Sequence, residues 1–255
     1  LYAQGQYAAA RAVFEMHLVQ HPDSIDAFHA LIATLVALNE YTELRRRLQQ
    51  AVMKRPDDAV LLCQLGLCEL DSDNIDAAKT YFRVAIDKAP EFLPSYLHLS
   101  ELEYQSEAYE AAIRVARKGV FIDEHCVPLH ITLGRAARMA AQPELARRHW
   151  RRALYHDTKN LDAMQFLAAL ALEEGENAAA WALAVRMEGI DPQNSIAPMV
   201  KGMVRLEEGA LQEAAACFSK VVELDPNDQK GWHQLGTTQY ERGLVVHAKE
   251  AFTQA

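Results

Sequence analysis

The sequence repeats itself every 34 residues. The stretch 195–228, SIAPMVKGMVRLEEGALQEAAACFSKVVELDPND, reads as two short amphipathic helices that meet at Glu208-Gly209 and end at Asp225-Pro226. The same pattern returns 34 residues to either side without an insertion. With the unit numbered 1–34, full copies occupy 25–58, 59–92, 93–126, 127–160, 161–194 and 195–228; 1–24 is the second half of an earlier copy and 229–255 an incomplete further one. A helix pair of this size cannot bury its apolar faces alone, so copies in unbroken register are expected to stack into a single array over 1–255.

Particular positions recur for particular reasons. Position 8 is small in Gly66, Ser100, Gly134, Ala168, Gly202 and Gly236. Position 20 carries Ala10, Ala78, Ala112, Ala146, Ala180, Ala214 and Ala248, and position 24 carries Phe14, Leu48, Phe82, Trp150, Phe218 and Phe252. Small meeting small, with a bulky residue one turn on, lets the ridges of one helix seat in the grooves of the other. Gly5, Gly175, Gly209 and Gly243 at position 15 suit a helix C-terminus. Pro22, Pro56, Pro90, Pro192 and Pro226 at position 32 end the second helix. Pro94 and Pro128 sit at position 2, where the missing N–H has no helical partner to lose. Copy 25–58 fills both small positions, with Ile32 and Leu44, which predicts a wider helix crossing there unless Ala30, Ala33 and Ala37 absorb the volume.

This pattern resembles the tetratricopeptide repeat, a 34-residue helix–turn–helix unit with an aromatic or Leu, Leu-Gly, Tyr, Ala, Phe, Ala and Pro in order. The copy from Gln229 carries it most fully, in Trp232, Leu235-Gly236, Tyr240 one residue late, Gly243, Ala248, Phe252 and Ala255. The resemblance covers all 255 residues. It implies an all-α fold, a right-handed α-solenoid (superhelix) of antiparallel helix pairs with about sixteen helices. Both termini fall inside a copy, so a piece of a longer protein is expected.

Composition narrows the class further. Half of the residues are hydrophobic and 24% are charged, as in a folded soluble chain. The longest apolar runs, such as Leu31–Leu38, are far short of a bilayer span, so no transmembrane segment is expected. A net charge of −9 argues against general nucleic-acid binding. Cys63, Cys68, Cys126 and Cys217 are too few and scattered for a disulfide scaffold, which favours a reducing compartment and the cytoplasm over a bacterial periplasm. Gly-rich phosphate loops, HExxH, GxSxG and CxxC motifs are absent, so no catalytic residue and no cofactor are assigned. His125, Cys126 and His130 form the one tempting metal cluster; lacking a clear fourth ligand, they are read as structural, and no metal site is assigned. Adjacent acids such as Glu173-Glu174 and Glu207-Glu208 point apart on a helix and do not make an acid–base couple.

In the family this chain resembles, positions 2, 5, 6, 9, 12 and 13 of the first helix line a concave groove. Carried over, the resemblance implies a partner-binding strip of Val60, Cys63 and Leu67; Leu97, Glu101 and Tyr104; Ile131, Arg135 and Arg138; Phe166 and Leu172; and Met199, Val200, Met203 and Leu206. It is unusually apolar for a wetted face, as binding sites are, and methionines suit an adaptable one. The competing reading is that adjacent repeats bury positions 9, 12 and 13 against one another. The Asn, Lys and Arg clamp with which some relatives hold a peptide carboxylate is missing. Arg135 and Arg138, flanked by Glu101 and Glu173, suit either an anion from a partner or an Arg–Glu ladder between repeats.

A second stripe, at positions 22, 25 and 26 of the second helix, is basic: Arg114, Arg117, Arg148, Arg151 and Arg152 are its centre. It suits RNA or an anionic surface, or else only complements the helix C-termini. The leading expectation is a non-catalytic scaffold that holds a peptide or helix of a partner protein in the apolar groove, within a multiprotein assembly. Self-association is also open to it. The alternatives are a substrate-selecting arm of an enzyme whose catalytic domain lies elsewhere and, disfavoured by the net charge, nucleic-acid binding through the basic stripe.

Overall fold

The computed structural model describes residues 2–21 and 24–255, so the helix-ending role assigned to Pro22 lies outside the described residues. Within them every regular element is helical: a 3-10 turn at Tyr2–Gln4 and fifteen α-helices. The fold is an all-α solenoid of helix pairs. Close packing divides it into two compact units, Leu1–Glu107 and Ala108–Ala255. The first unit holds α1 (Tyr7–Gln20), α2 (Ile25–Ala37), α3 (Tyr41–Lys54), α4 (Ala59–Asp71), α5 (Ile75–Lys88) and α6 (Leu93–Gln105). The second holds α7 (Tyr109–Ile122), α8 (Val127–Met139), α9 (Pro143–His156), α10 (Leu161–Glu173), α11 (Asn177–Ile190), α12 (Ile196–Glu207), α13 (Leu211–Leu224), α14 (Gln229–Glu241) and α15 (Val245–Gln254). Even-numbered helices are the first of each copy, odd-numbered ones the second.

The first helices end alike. Glu40, Asn74, Gln142, Glu176, Ala210 and Leu244 each donate a backbone N–H to the carbonyl five residues earlier, while the preceding residue donates to the carbonyl three back. This double closure requires a left-handed residue at position 15. Gly5, Gly175, Gly209 and Gly243 supply it with φ of 71–77°; Asn39, Asp73, Glu107 and Ala141 adopt it at 55–58° without being glycine. The first-helix starts are of three kinds, and at α12 Asn194, just before the N-cap, accepts the N–H groups of Ile196 and Ala197. Ser24, Asp58, Asn160 and Asp228 cap α2, α4, α10 and α14 through side-chain oxygens. At α6 and α8 the capping residues are Phe92 and Cys126, whose side chains accept nothing, and there Pro94 and Pro128 remove one of the N–H groups that a cap would satisfy.

Packing within a pair follows a rule finer than small against small. A Cβ added to Gly66, Gly202 or Gly236 would lie 2.5–2.6 Å from the ring of Phe82, Phe218 or Phe252, and one on Gly134 would lie 2.3 Å from Trp150 Nε1. The glycine of position 8 is therefore the seat of the aromatic at position 24. Where position 24 is small, as at Ala184, position 8 is Ala168, and both are buried. Copy 25–58 puts Ile32 against a core that already holds Leu44 and Leu48. The backbones of α2 and α3 approach closely over far less of their length than those of α4–α5, α8–α9 or α12–α13. The wider crossing expected from Ile32 and Leu44 is present.

Successive copies are also joined at position 4. Tyr96 Oη donates to the Pro90 carbonyl (2.9 Å), Trp232 Nε1 to the Pro226 carbonyl (2.9 Å) and His130 Nε2 to the Glu124 carbonyl (2.9 Å). In each case the polar tip of a large ring reaches back to position 32 of the preceding copy. Pro198 occupies position 4 of α12 and is buried, without a group to make this bond.

Candidate partner-binding surfaces

The strip on the first helices is half-buried along almost its whole length. Of its fifteen residues, Cys63 (3% exposed) and Val200 (5%) are buried, and the other thirteen have intermediate exposure. Cys63, at position 5 of α4, is buried near Ser95 of α6, and burial lifts its thiol to about 11. Val200, at position 6 of α12, packs with Met164, Ala168 and Met187 of the preceding copy. Both positions were expected to face a partner; both are instead taken by the neighbouring repeat.

In the first unit, Val60 joins His29, Ala33, Val36, Ile32, Gln64 and Tyr2 around an open cavity of about 320 Å³. Val60 lies in the strip named above, and His29, Ala33 and Val36 hold positions 5, 9 and 12 of α2, whereas Tyr2 comes from the 3-10 turn, which no repeat position foretold. Leu67, Leu97, Glu101 and Tyr104 continue along α4 and α6 with intermediate exposure.

In the second unit, Phe166 stacks on Trp150 at 5.2 Å between centroids, and Trp150 Nε1 donates to the Ile131 carbonyl at 3.4 Å. Ile131 and Phe166 are thus partly spent on internal packing, and Leu172 leans on the core of Met164, Ala168 and Ala171. Arg138 is paired with Glu173, so the inter-repeat ladder accounts for it and it is no free anion anchor. Arg135 is half-buried beside it in sequence. The open part of the strip is at α12 and α14. Met199, Met203 and Leu206 lie over a core of Ala214, Ala215, Phe218 and Leu235. Met199 and Met203 form one wall of a cavity of about 480 Å³, whose rim is Gln229, Lys230, His233, Gln234 and Ala255. This arrangement is an adaptable apolar floor with a polar rim and one cation. The rim residues Gln229 and Gln234 escaped the sequence reading, though α14 positions facing α12 were the signal available.

Histidines scattered through the sequence come together between α8 and α9. His130 Nε2–H is committed to the Glu124 carbonyl, so its Nδ1 accepts from His149 Nδ1–H at 2.9 Å. His125 and His156 approach Nδ1 to Nδ1 at 3.1 Å. Burial, helped by His130 and by Arg148, Arg117 and Arg152, pushes His149 down to about 4; burial also lowers His130, against the bond to the Glu124 carbonyl. Among the described residues no group of three or more His, Cys, Asp or Glu is arranged to hold a metal ion. His130 does what Tyr96 and Trp232 do at the same position, which is a structural role.

Along the basic stripe, Arg46 pairs with Glu43 (2.6 Å), Arg83 with Glu103 (2.6 Å) and Lys220 with Glu188 (3.0 Å), and Arg186 donates to the Thr158 carbonyl (2.9 Å). Arg114, Arg117, Arg148, Arg151 and Arg152 are all exposed on α7 and α9, and among the described residues none has a carboxylate partner.

Comparison with known proteins places this architecture. Residues 163–229 match the family model for the tetratricopeptide repeat. A TPR-containing protein of Dictyostelium discoideum is 38% identical over 64 residues, which are 25% of this chain and 5% of that protein, so the match spans only a small part of the relative's length. Among solved structures, YrrB, a TPR protein with an unusual peptide-binding site, superposes with a TM-score of 0.60 at 17% identity over 80% of this chain and 97% of its own. The Cut9–Hcn1 hetero-tetramer of the APC/C gives 0.67 at 15% identity over all of this chain and 51% of its own. PilW, a type IV pilus biogenesis factor, gives 0.67 at 15% identity over 77% and 91%.

Proposed function

The chain is a tetratricopeptide-repeat protein, and from that premise we propose that it is a non-catalytic scaffold that holds a segment of a partner protein on the first-helix face of its repeats. The observation that carries this reading is the cavity of about 480 Å³ between α12 and α14. Its Met199 and Met203 wall is half-buried and borders the cavity, while Ala197, Val200 and Val204 of the same helix are buried. An apolar side chain of the partner fills the cavity, and Lys230 with His233 and the two glutamines meets the partner's polar backbone or an acidic neighbour. The smaller cavity at His29, Val36 and Val60 gives the first unit an equivalent foothold. YrrB, a TPR protein with a peptide-binding site, and the Cut9–Hcn1 hetero-tetramer support a protein-binding role of this kind.

The test is affinity capture with quantitative mass spectrometry. Leu67→Glu places a charge on the strip at α4 and Met203→Glu on the apolar floor, and the pair is expected to lower capture of specific partners about tenfold or more while helicity at 222 nm is kept. Lys230→Asp with His233→Asp, at exposed rim positions, gives the same loss with no burden on the fold. A full set of variants that captures partners as the wild type does would remove the groove from the account.

A further inference from the structure

We infer that the outward faces of α7 and α9 form a second docking surface, fitted to a short acidic segment of a partner protein that also carries an apolar residue. On α7, Arg114, Arg117, Lys118 and Phe121 stand at i, i+3, i+4 and i+7; on α9, Arg148, Arg151, Arg152 and Tyr155 stand at the same four steps. Such spacing puts each set on one face of its helix, over about 10 Å of its length. All eight are exposed, with Phe121 at 91% and Tyr155 at 74%. The two helices belong to successive copies and are bridged by Gln142 Nε2 donating to Glu110 Oε1 at 2.8 Å. Arg117 of one and Arg148 and Arg152 of the other all act on His149. Two matching rows of three cations and one ring therefore stand on successive copies, with Gln142 bridging the helix starts.

Nothing in the fold calls for this. The equivalent cations on α3, α5, α11 and α13 are held by Glu43, Glu103, the Thr158 carbonyl and Glu188. Six cations without carboxylates repel one another, and two large rings in water forgo burial. Both costs are relieved by one kind of occupant, a segment that brings carboxylates for the arginines and an apolar side chain for the rings. The extent of the surface sets the occupant's length. On α11 the same four steps read Ala182, Val185, Arg186 and Gly189, so the pattern stops after two helices. Glu110 and Glu144 close it at one end, and Asp123, Glu124 and Asp157 at the other. Each row of about 10 Å matches about three extended residues. A long polyanion would run past it onto a chain whose net charge is −9.

The probe is a short fluorescein-labelled peptide of alternating Glu and Leu, read by anisotropy at low salt. Saturable binding is expected, together with loss of about tenfold in the triple variant R148A/R151A/R152A and about threefold in F121A/Y155A. The same peptide with Gln for Glu should not bind. Met203→Glu should leave this binding unchanged, which separates the surface from the α12–α14 groove: either can fail without the other. Equal binding of the peptide by wild type and the arginine variant overturns the proposal. So does an arginine-dependent preference for single-stranded polyuridine over the peptide, which would make the occupant a nucleic acid.

Discussion

At position 15 a single backbone angle closes every first helix. Glycine takes the left-handed region freely, whereas an L-residue there costs on the order of 1 kcal/mol. Ala141 holds φ 55° and gains nothing from its side chain that a turn needs. Ala141→Gly is therefore expected to raise stability by about 1 kcal/mol, and Gly209→Ala to lower it by a similar amount. A Cβ on Gly209 meets nothing within 4 Å, so the second change reports conformation alone. Urea midpoints of the two variants check both signs. The glycines at 175, 209 and 243 could be read from the sequence as helix stops. Nothing marked Ala141 or Glu107 as left-handed, because their geometry is imposed by the paired N–H bonds at the helix end rather than by the residue. The same limit explains Cys63 and Val200. Repeat register placed them on the right helix, but their depth depends on Ser95 and Met164 of neighbouring copies, which the position number does not encode.

Between elements, the sequence showed that position 8 is small with a bulky residue nearby, and the structure sets the ring of position 24 directly against it. The counterpart is the ring at position 24, and the two co-adjust: glycine under Phe82, Trp150, Phe218 and Phe252, alanine under Ala184. Gly134→Ala should cost about 1–3 kcal/mol through the Trp150 indole, and Trp150→Leu in the same chain should recover part of that loss, a coupling that a double-mutant cycle measures. The α8–α9 contact has a pH dependence of its own. His149 titrates at about 4 when folded and near its ordinary 6.5 when unfolded, and His130 is shifted in the same direction. Between those values the unfolded chain binds more protons, so this contribution is complete above about pH 6.5 and is lost as pH falls toward 4. Its size is on the order of 1–3 kcal/mol. Thermal midpoints across that range should fall less steeply for His149→Phe than for the wild type; parallel curves would contradict the assignment. The sequence grouped His125 and His130 but not His149 and His156, which meet them only through tertiary contact.

For the molecule as a whole, the 34-residue period was sufficient to give the helices, their pairing and the identity of the repeat, because stacked units leave the chain few other ways to bury its apolar faces. The surface was less legible. The transferred strip included Met199 and Met203, which line the α12–α14 cavity, and the arginines of α7 and α9 were plain in the sequence, but the rings of Phe121 and Tyr155 were not recognised as exposed. The central claim is that a partner lies on the α12–α14 face. Hydrogen–deuterium exchange of the chain with and without a captured partner tests it most directly. Amides of α12 and α14 should exchange several-fold more slowly in the complex, with α11 and α13 unchanged. Protection that leaves α12 and α14 untouched and appears only on the second helices would contradict it.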